Sequence, residues 1–138
     1  MKKKVLRIIT LFLICILMLS CVAYAAINAS EYINVTSAWI TRDGGSVQVH
    51  FYILGTDTMD QIGVKYIYLY EKNGNVWSLK KVFNYTDPLY TSTMMGTNSA
   101  VNSGNVSYSG SADKQYYATC WFYAEKNGGS DTITQNAY

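Results

Sequence analysis

Three stretches of the chain alternate apolar and polar side chains with a period of two, the signature of half-buried β-strands. Residues 46–54 set Val47, Val49, Phe51 and Ile53 against Gln48, His50 and Tyr52. Residues 64–71 set Ile67 and Leu69 against Tyr66, Tyr68 and Tyr70. Residues 116–124 set Tyr116, Ala118, Cys120, Phe122 and Ala124 against Tyr117, Thr119, Trp121 and Tyr123. Weaker alternation predicts further strands over 31–41, 75–84, 104–109 and 131–136. Turn chemistry separates them at Asp43-Gly44-Gly45, Gly55-Thr56-Asp57, Lys72-Asn73-Gly74-Asn75, Ser109-Gly110-Ser111 and Asn127-Gly128-Gly129. Asn73-Gly74 between two strands is the strongest hairpin signal. Asp87–Asn102 carries the single proline, Pro88, and many Ser, Thr and Asn, and reads as a long connection holding a short edge strand or one helical turn. No segment sustains a helical period. About seven short strands in this order predict an all-β chain, an antiparallel two-sheet β-sandwich.

The first 25 residues follow a different pattern. A basic start (Lys2, Lys3, Lys4, Arg7) precedes an apolar run from Ile8 to Leu19 broken only by Thr10. That run is shorter than the roughly 20 residues a bilayer-spanning helix needs. Ala23-Tyr24-Ala25 then supplies small residues where signal peptidase requires them, so residues 1–25 read as a secretory signal peptide that is removed. Residues 26–138 would form one domain of 113 residues, large enough to fold alone. The competing reading is acylation at Cys21, because Ser20-Cys21 resembles the end of a lipobox; Met18 and Leu19 fit that motif less well. The two readings separate release into the medium from tethering at the outer membrane face.

Cleavage reverses the charge argument. The intact chain has 11 basic and 9 acidic residues, and four of the basic ones lie in the leader. The remaining chain carries a net charge near −2 and no basic stripe, which argues against a nucleic-acid partner. Cys15 and Cys21 leave with the leader, so Cys120 has no intramolecular partner for a disulfide. No apolar tail or Leu-Pro-x-Thr-Gly anchor follows, and the Asn-x-Ser/Thr sequons at Asn28, Asn34, Asn84 and Asn105 read as strand and turn chemistry.

Catalytic chemistry finds little support. His50, the one histidine, sits opposite the apolar face with no second metal ligand nearby, and no nucleophile-elbow sequence accompanies any serine. Cys120 falls on the inferred core face, where a thiol behaves as a small hydrophobe. Asp57 and Asp60, in a polar loop between the second and third strands, are the calcium candidates; carboxylates so placed also make turns. No cofactor is implied, and an enzyme is disfavoured.

The strand 116–124 resembles the sixth strand of fibronectin-type-III and immunoglobulin-like sandwiches. The resemblance implies that Tyr116 is a corner residue whose hydroxyl bonds backbone upstream. It also makes the third and sixth strands neighbours in one sheet. Tyr66, Tyr68, Tyr70, Tyr117, Trp121 and Tyr123 would then share one solvent-facing surface. Thr58-Met59-Asp60-Gln61-Ile62-Gly63, Tyr70-Glu71-Lys72 with Gly74 and Trp77, Met94-Met95-Gly96, Tyr117-Ala118 with Phe122-Tyr123-Ala124, and Gly129-Ser130-Asp131 resemble an uncharacterised family of small secreted single-domain proteins of clostridial-type Gram-positive bacteria. That resemblance covers about residues 30–132 and implies fold and location; it carries no site.

With 13 Tyr against 4 Phe, the aromatic surplus is the informative feature. Tyr and Trp offer an apolar face and a polar edge at low side-chain entropy, which suits recognition of a glycan or a protein. Cross-strand aromatic pairs also simply stabilise sheets, and a second copy of the chain is another occupant for the face. The function expected is a secreted, non-enzymatic binding module at the cell surface. The alternative is a small secreted effector or toxin-like protein acting on membranes or competing cells.

Overall fold

The computed structural model describes residues 30–138. The leader 1–25, its cleavage site, the acylation alternative at Cys21 and the sequon at Asn28 lie outside the described residues. Six strands and one helical turn follow in order: β1 (Ile33–Asp43), β2 (Ser46–Asn73), β3 (Val76–Asn84), α1 (Thr91–Met94), β4 (Met95–Ser109), β5 (Tyr116–Lys126) and β6 (Gly129–Ala137). All pairings are antiparallel, in one hydrogen-bonded sheet that curls into a half-barrel.

The hairpin turns are local consequences of sequence. β1 and β2 are joined by Gly44-Gly45 and β5 and β6 by Asn127-Gly128, and all four residues have positive φ. Two consecutive positive φ angles match the right-handed twist of the strands they connect. The β2–β3 turn centres on Gly74-Asn75, one residue later than the Asn-Gly pattern suggests, because Asn73 is still paired with Val76.

The 28-residue β2 organises the molecule. Along one edge it pairs first with β1 (residues 46–55) and then with β5 (61–71). Along the other it pairs with β4 (46–63) and then with β3 (66–73). The second and third expected strands are therefore parts of one continuous strand. Gly55-Thr56-Asp57 does not turn. The Thr56 amide donates to the Tyr32 carbonyl at 3.0 Å, and Met59 returns a buried side chain to the core. The extra polar residues are taken up as a register slip between Leu54 and Met59, a bulge that bends the strand.

The concave face holds the core. Val47, Val49, Phe51 and Ile53 come from the first half of β2, and Ile62, Val64, Ile67 and Leu69 from the second. Ala118, Cys120, Phe122 and Ala124 of β5, Phe83 of β3 and Met94 of α1 join it, all fully buried. The even-numbered residues from 116 to 124 thus point inward. The long connection expected over 87–102 is shorter than its composition suggests. Turns and α1 fill 85–94, and β4 begins at Met95, where it pairs with Gly63. Thr91 fastens this corner, its hydroxyl donating to the Tyr85 and Asp87 carbonyls at 2.7 and 3.0 Å.

Candidate ligand-binding face

The convex surface of β3, β2, β5 and β6 displays the aromatic residues. Antiparallel register sets Tyr66 opposite Trp121, Tyr68 opposite Thr119 and Tyr70 opposite Tyr117, and directly opposed residues share a face. A register slip between Val64 and Tyr66 makes this phase compatible with the core. Val64 and Ile67 both point inward although three residues apart, because Lys65 is the extra residue.

The rings form two groups. Trp121, 40% exposed, meets Tyr66 edge-on at 5.8 Å between centroids and Tyr68 at 5.9 Å; the two tyrosines lie 6.1 Å apart. In the second group Tyr117 stacks on Tyr70 at 4.6 Å with planes 6° apart, and on Tyr138 at 6.1 Å. Trp77 presents its ring to Tyr117 at 86° and 4.8 Å. Burial raises the Tyr117 hydroxyl pKa, with further help from the hydroxyls of Tyr70 and Tyr138, so the group stays neutral well above physiological pH.

Tyr123 departs from the expected surface. It is only 8% exposed, with the Lys65 ammonium 3.5 Å from its ring centroid and its hydroxyl donating to Glu125. Burial, then the Glu125 contact, raises its pKa. The cause is the slip at Lys65, which swings a long cationic side chain over the ring.

Four further residues extend the face and have no counterpart in the alternating pattern. Val82 opposes Tyr68, Leu79 opposes Tyr70 and Trp77 opposes Lys72, all three exposed. They reach one side because Lys80 falls in a register slip between the Leu69–Lys81 and Tyr70–Leu79 pairs. That slip destroys the alternation in Val76–Asn84 that would have flagged them. Tyr138, the fourth, lies past the end of β6.

The remaining candidates lie elsewhere. His50 stacks on Trp39 at 5.1 Å on the far side of the molecule, with Nε2 2.7 Å from the Thr41 hydroxyl. Cys120 is sealed in the core, and desolvation pushes its thiol pKa up to about 12. Asp57 and Asp60 are on β2 rather than in a loop. Asp57 pairs with Lys126, and the Asp60 carboxylate accepts the Asn127 amide at 2.8 Å, so both pin the β5–β6 turn. Among the described residues no group of three or more His, Cys, Asp or Glu is arranged to hold a metal ion. Tyr116 is 6% exposed, and its hydroxyl accepts the Ser111 amide at 2.8 Å, five residues upstream.

No described helix is long and apolar enough to cross a membrane. Comparison with protein-family models, with curated proteins and with solved structures finds no match to this chain.

Proposed function

We propose that the protein is a secreted, non-enzymatic binding module, and that the aromatic face of its β3–β2–β5–β6 half recognises a glycan or a protein at a cell surface. The observation that carries the reading is Trp121: a large indole, 40% exposed, flanked by two tyrosines within 6 Å. Exposed contiguous apolar surface of this kind on a soluble domain marks an interaction site. Leu79, Val82 and Trp77, all exposed, widen it.

The domain is read as a seven-strand sandwich of immunoglobulin or fibronectin-type-III kind, with β2 serving as two strands. Support comes from the pairing sets β1–β2–β4 and β3–β2–β5–β6, and from the Tyr116–Ser111 bond. Secretion by cleavage before Ala26, rather than acylation at Cys21, rests on the leader pattern.

The test uses the full chain expressed with its leader in a Gram-positive host. N-terminal sequencing of protein from the medium should begin at Ala26. That product is probed against a glycan array and a cell-surface protein extract, beside Trp121→Ala. The variant should lose at least about tenfold in binding, as a central aromatic anchor does, with unchanged melting. Equal binding of every extended glycan and every surface protein by the variant, or no binding by either, would overturn the reading.

A further inference from the structure

The second ring group borders a cavity of about 340 Å3 lined by Ile40, Arg42, Trp77, Gln115, Tyr116 and Tyr138. It lies where the end of β1 meets the starts of β3 and β5 and the end of β6. Two of its walls are accessible rings: Trp77 is 39% and Tyr138 77% exposed. Tyr117 touches both, so the cavity is continuous with the aromatic face.

Its polar members carry planar groups, and that of Arg42 is held by a hydrogen bond. The Arg42 Nη1 donates to the Lys114 carbonyl at 2.7 Å, which holds the guanidinium in place while its other N–H groups remain as donors. Among the described residues no carboxylate forms an ion pair with it. Gln115 adds an exposed amide that both donates and accepts.

Aromatic faces bordered by planar amide and guanidinium groups match the two surfaces of a pyranose. Its C–H face is apolar, and its rim of hydroxyls donates and accepts in pairs. The volume falls at the small end of small-molecule sites, which run from about 300 Å3 upward. That size takes one or two sugar rings.

Building on the binding-module reading, we infer that its ligand is a saccharide, and that Trp77, Tyr138, Arg42 and Gln115 form the subsite for a terminal mono- or disaccharide unit. Trp77 and Tyr138 stack the ring; Arg42 and Gln115 bond its hydroxyls. A longer chain continues over Tyr117 and Tyr70 toward Trp121, which lies four residues along β5, about 13 Å at the usual strand rise.

The secreted product is titrated by amide and indole NMR with cellobiose, chitobiose and mannobiose, and with the tetrasaccharide of each series. At least one disaccharide should shift the Trp77 indole and the Gln115 side-chain amide. Trp77→Ala should weaken that disaccharide at least about tenfold. Arg42→Ala and Gln115→Ala, both exposed changes, should each weaken it severalfold, with changes in the spectrum of the free protein confined to the neighbourhood of the substitution. Trp121→Ala should spare the disaccharide and weaken only the tetrasaccharide.

Saccharide shifts centred on Trp121 that leave Trp77 still would overturn the subsite while keeping the glycan-binding face. Binding of a surface protein with no response to any saccharide would overturn the saccharide assignment and leave the module reading standing. Absence of any ligand in either assay would remove both.

Discussion

The hydroxyl of Tyr116 donates to the Glu71 carboxylate at 2.7 Å while accepting the Ser111 amide at 2.8 Å. One buried phenol thus ties the start of β5 to the end of β2 and to the turn that follows β4. Glu71 completes the arrangement through Lys80, 3.2 Å away on β3. The hydrogen bond from Tyr116 holds the Glu71 carboxyl below its ordinary pKa, with the Lys80 ammonium acting in the same direction. Burial, then the Glu71 contact, pushes the Tyr116 hydroxyl up.

Tyr116→Phe should therefore destabilise the domain by on the order of 1–2 kcal/mol, chiefly by leaving the Ser111 amide without its acceptor. The Glu71 pKa should rise in the variant. A depressed folded-state pKa contributes stability above the unfolded value and loses it as pH falls. The wild-type advantage should accordingly shrink on acidification below the ordinary glutamate value of 4.5. Urea denaturation of both proteins from neutral to acid pH, with Glu71 followed by carboxyl NMR, checks both statements.

Cys120 supplies the opposite sign at alkaline pH. Its thiol ordinarily titrates near 9.0 and is pushed to about 12 by desolvation. The folded form keeps its proton where the unfolded chain loses one, so stability is intact below pH 9 and lost as pH rises. The loss is about 1.4 kcal/mol per pH unit for one proton. Cys120→Ala should lack this share of the alkaline slope, the tyrosine contributions cancelling in the difference. A disulfide-exchange reagent should leave native Cys120 unmodified at neutral pH and label it in urea.

Alternation made the interior of β5 legible. Tyr116, Ala118, Cys120, Phe122 and Ala124 are all buried, and Trp121 is exposed between them. The same logic placed Tyr66, Tyr68 and Tyr70 on the convex side. It failed wherever a slip inserted one residue into a pairing, because period two carries no memory across an insertion. Lys65 hid the covering of Tyr123, and Lys80 hid Trp77, Leu79 and Val82. The continuity of β2 was illegible because Gly55-Thr56-Asp57 has the composition of a turn. Contacts distant in sequence keep it extended: the Thr56 amide on the Tyr32 carbonyl, the Thr56 hydroxyl on the Glu31 carbonyl, and Lys126 on Asp57. Asp57 and Asp60 were visible as a pair, but their cation and amide partners lie more than 60 residues away.

Gly63 tests the crossing at the centre of β2, where β4 and β5 flank it on opposite edges. A Cβ there would lie 2.0 Å from the Met94 carbonyl oxygen and 2.9 Å from the Met95 Cα. Backbone cannot step aside without breaking the β2–β4 pairing. Gly63→Ala should cost on the order of 3 kcal/mol or leave the chain unfolded. Gly96→Ala, whose added carbon comes no nearer than 3.5 Å to the Ile62 carbonyl oxygen, is the matched control and should melt within a few degrees of wild type.

The last prediction concerns the β5–β6 turn, held to β2 by charge. The hydrogen bond from the Lys126 ammonium lowers the Asp57 pKa most, followed by the bond from the Thr58 amide and the ammonium's charge. A carboxylate whose folded pKa is depressed stabilises above its unfolded value of 3.8 and ceases to as pH falls through the folded one. Acidification below pH 4 should therefore loosen the turn before the core melts. Amide exchange should speed up at Asn127 and Gly128 while protection at Cys120 and Phe122 persists. Asp57→Asn should show the faster turn exchange already at neutral pH. Because the pair is solvent-exposed, raised salt should reproduce part of the effect in wild type and none in the variant. Uniform loss of protection across β5 and β6 on acidification would show instead that the hairpin opens only with the whole domain.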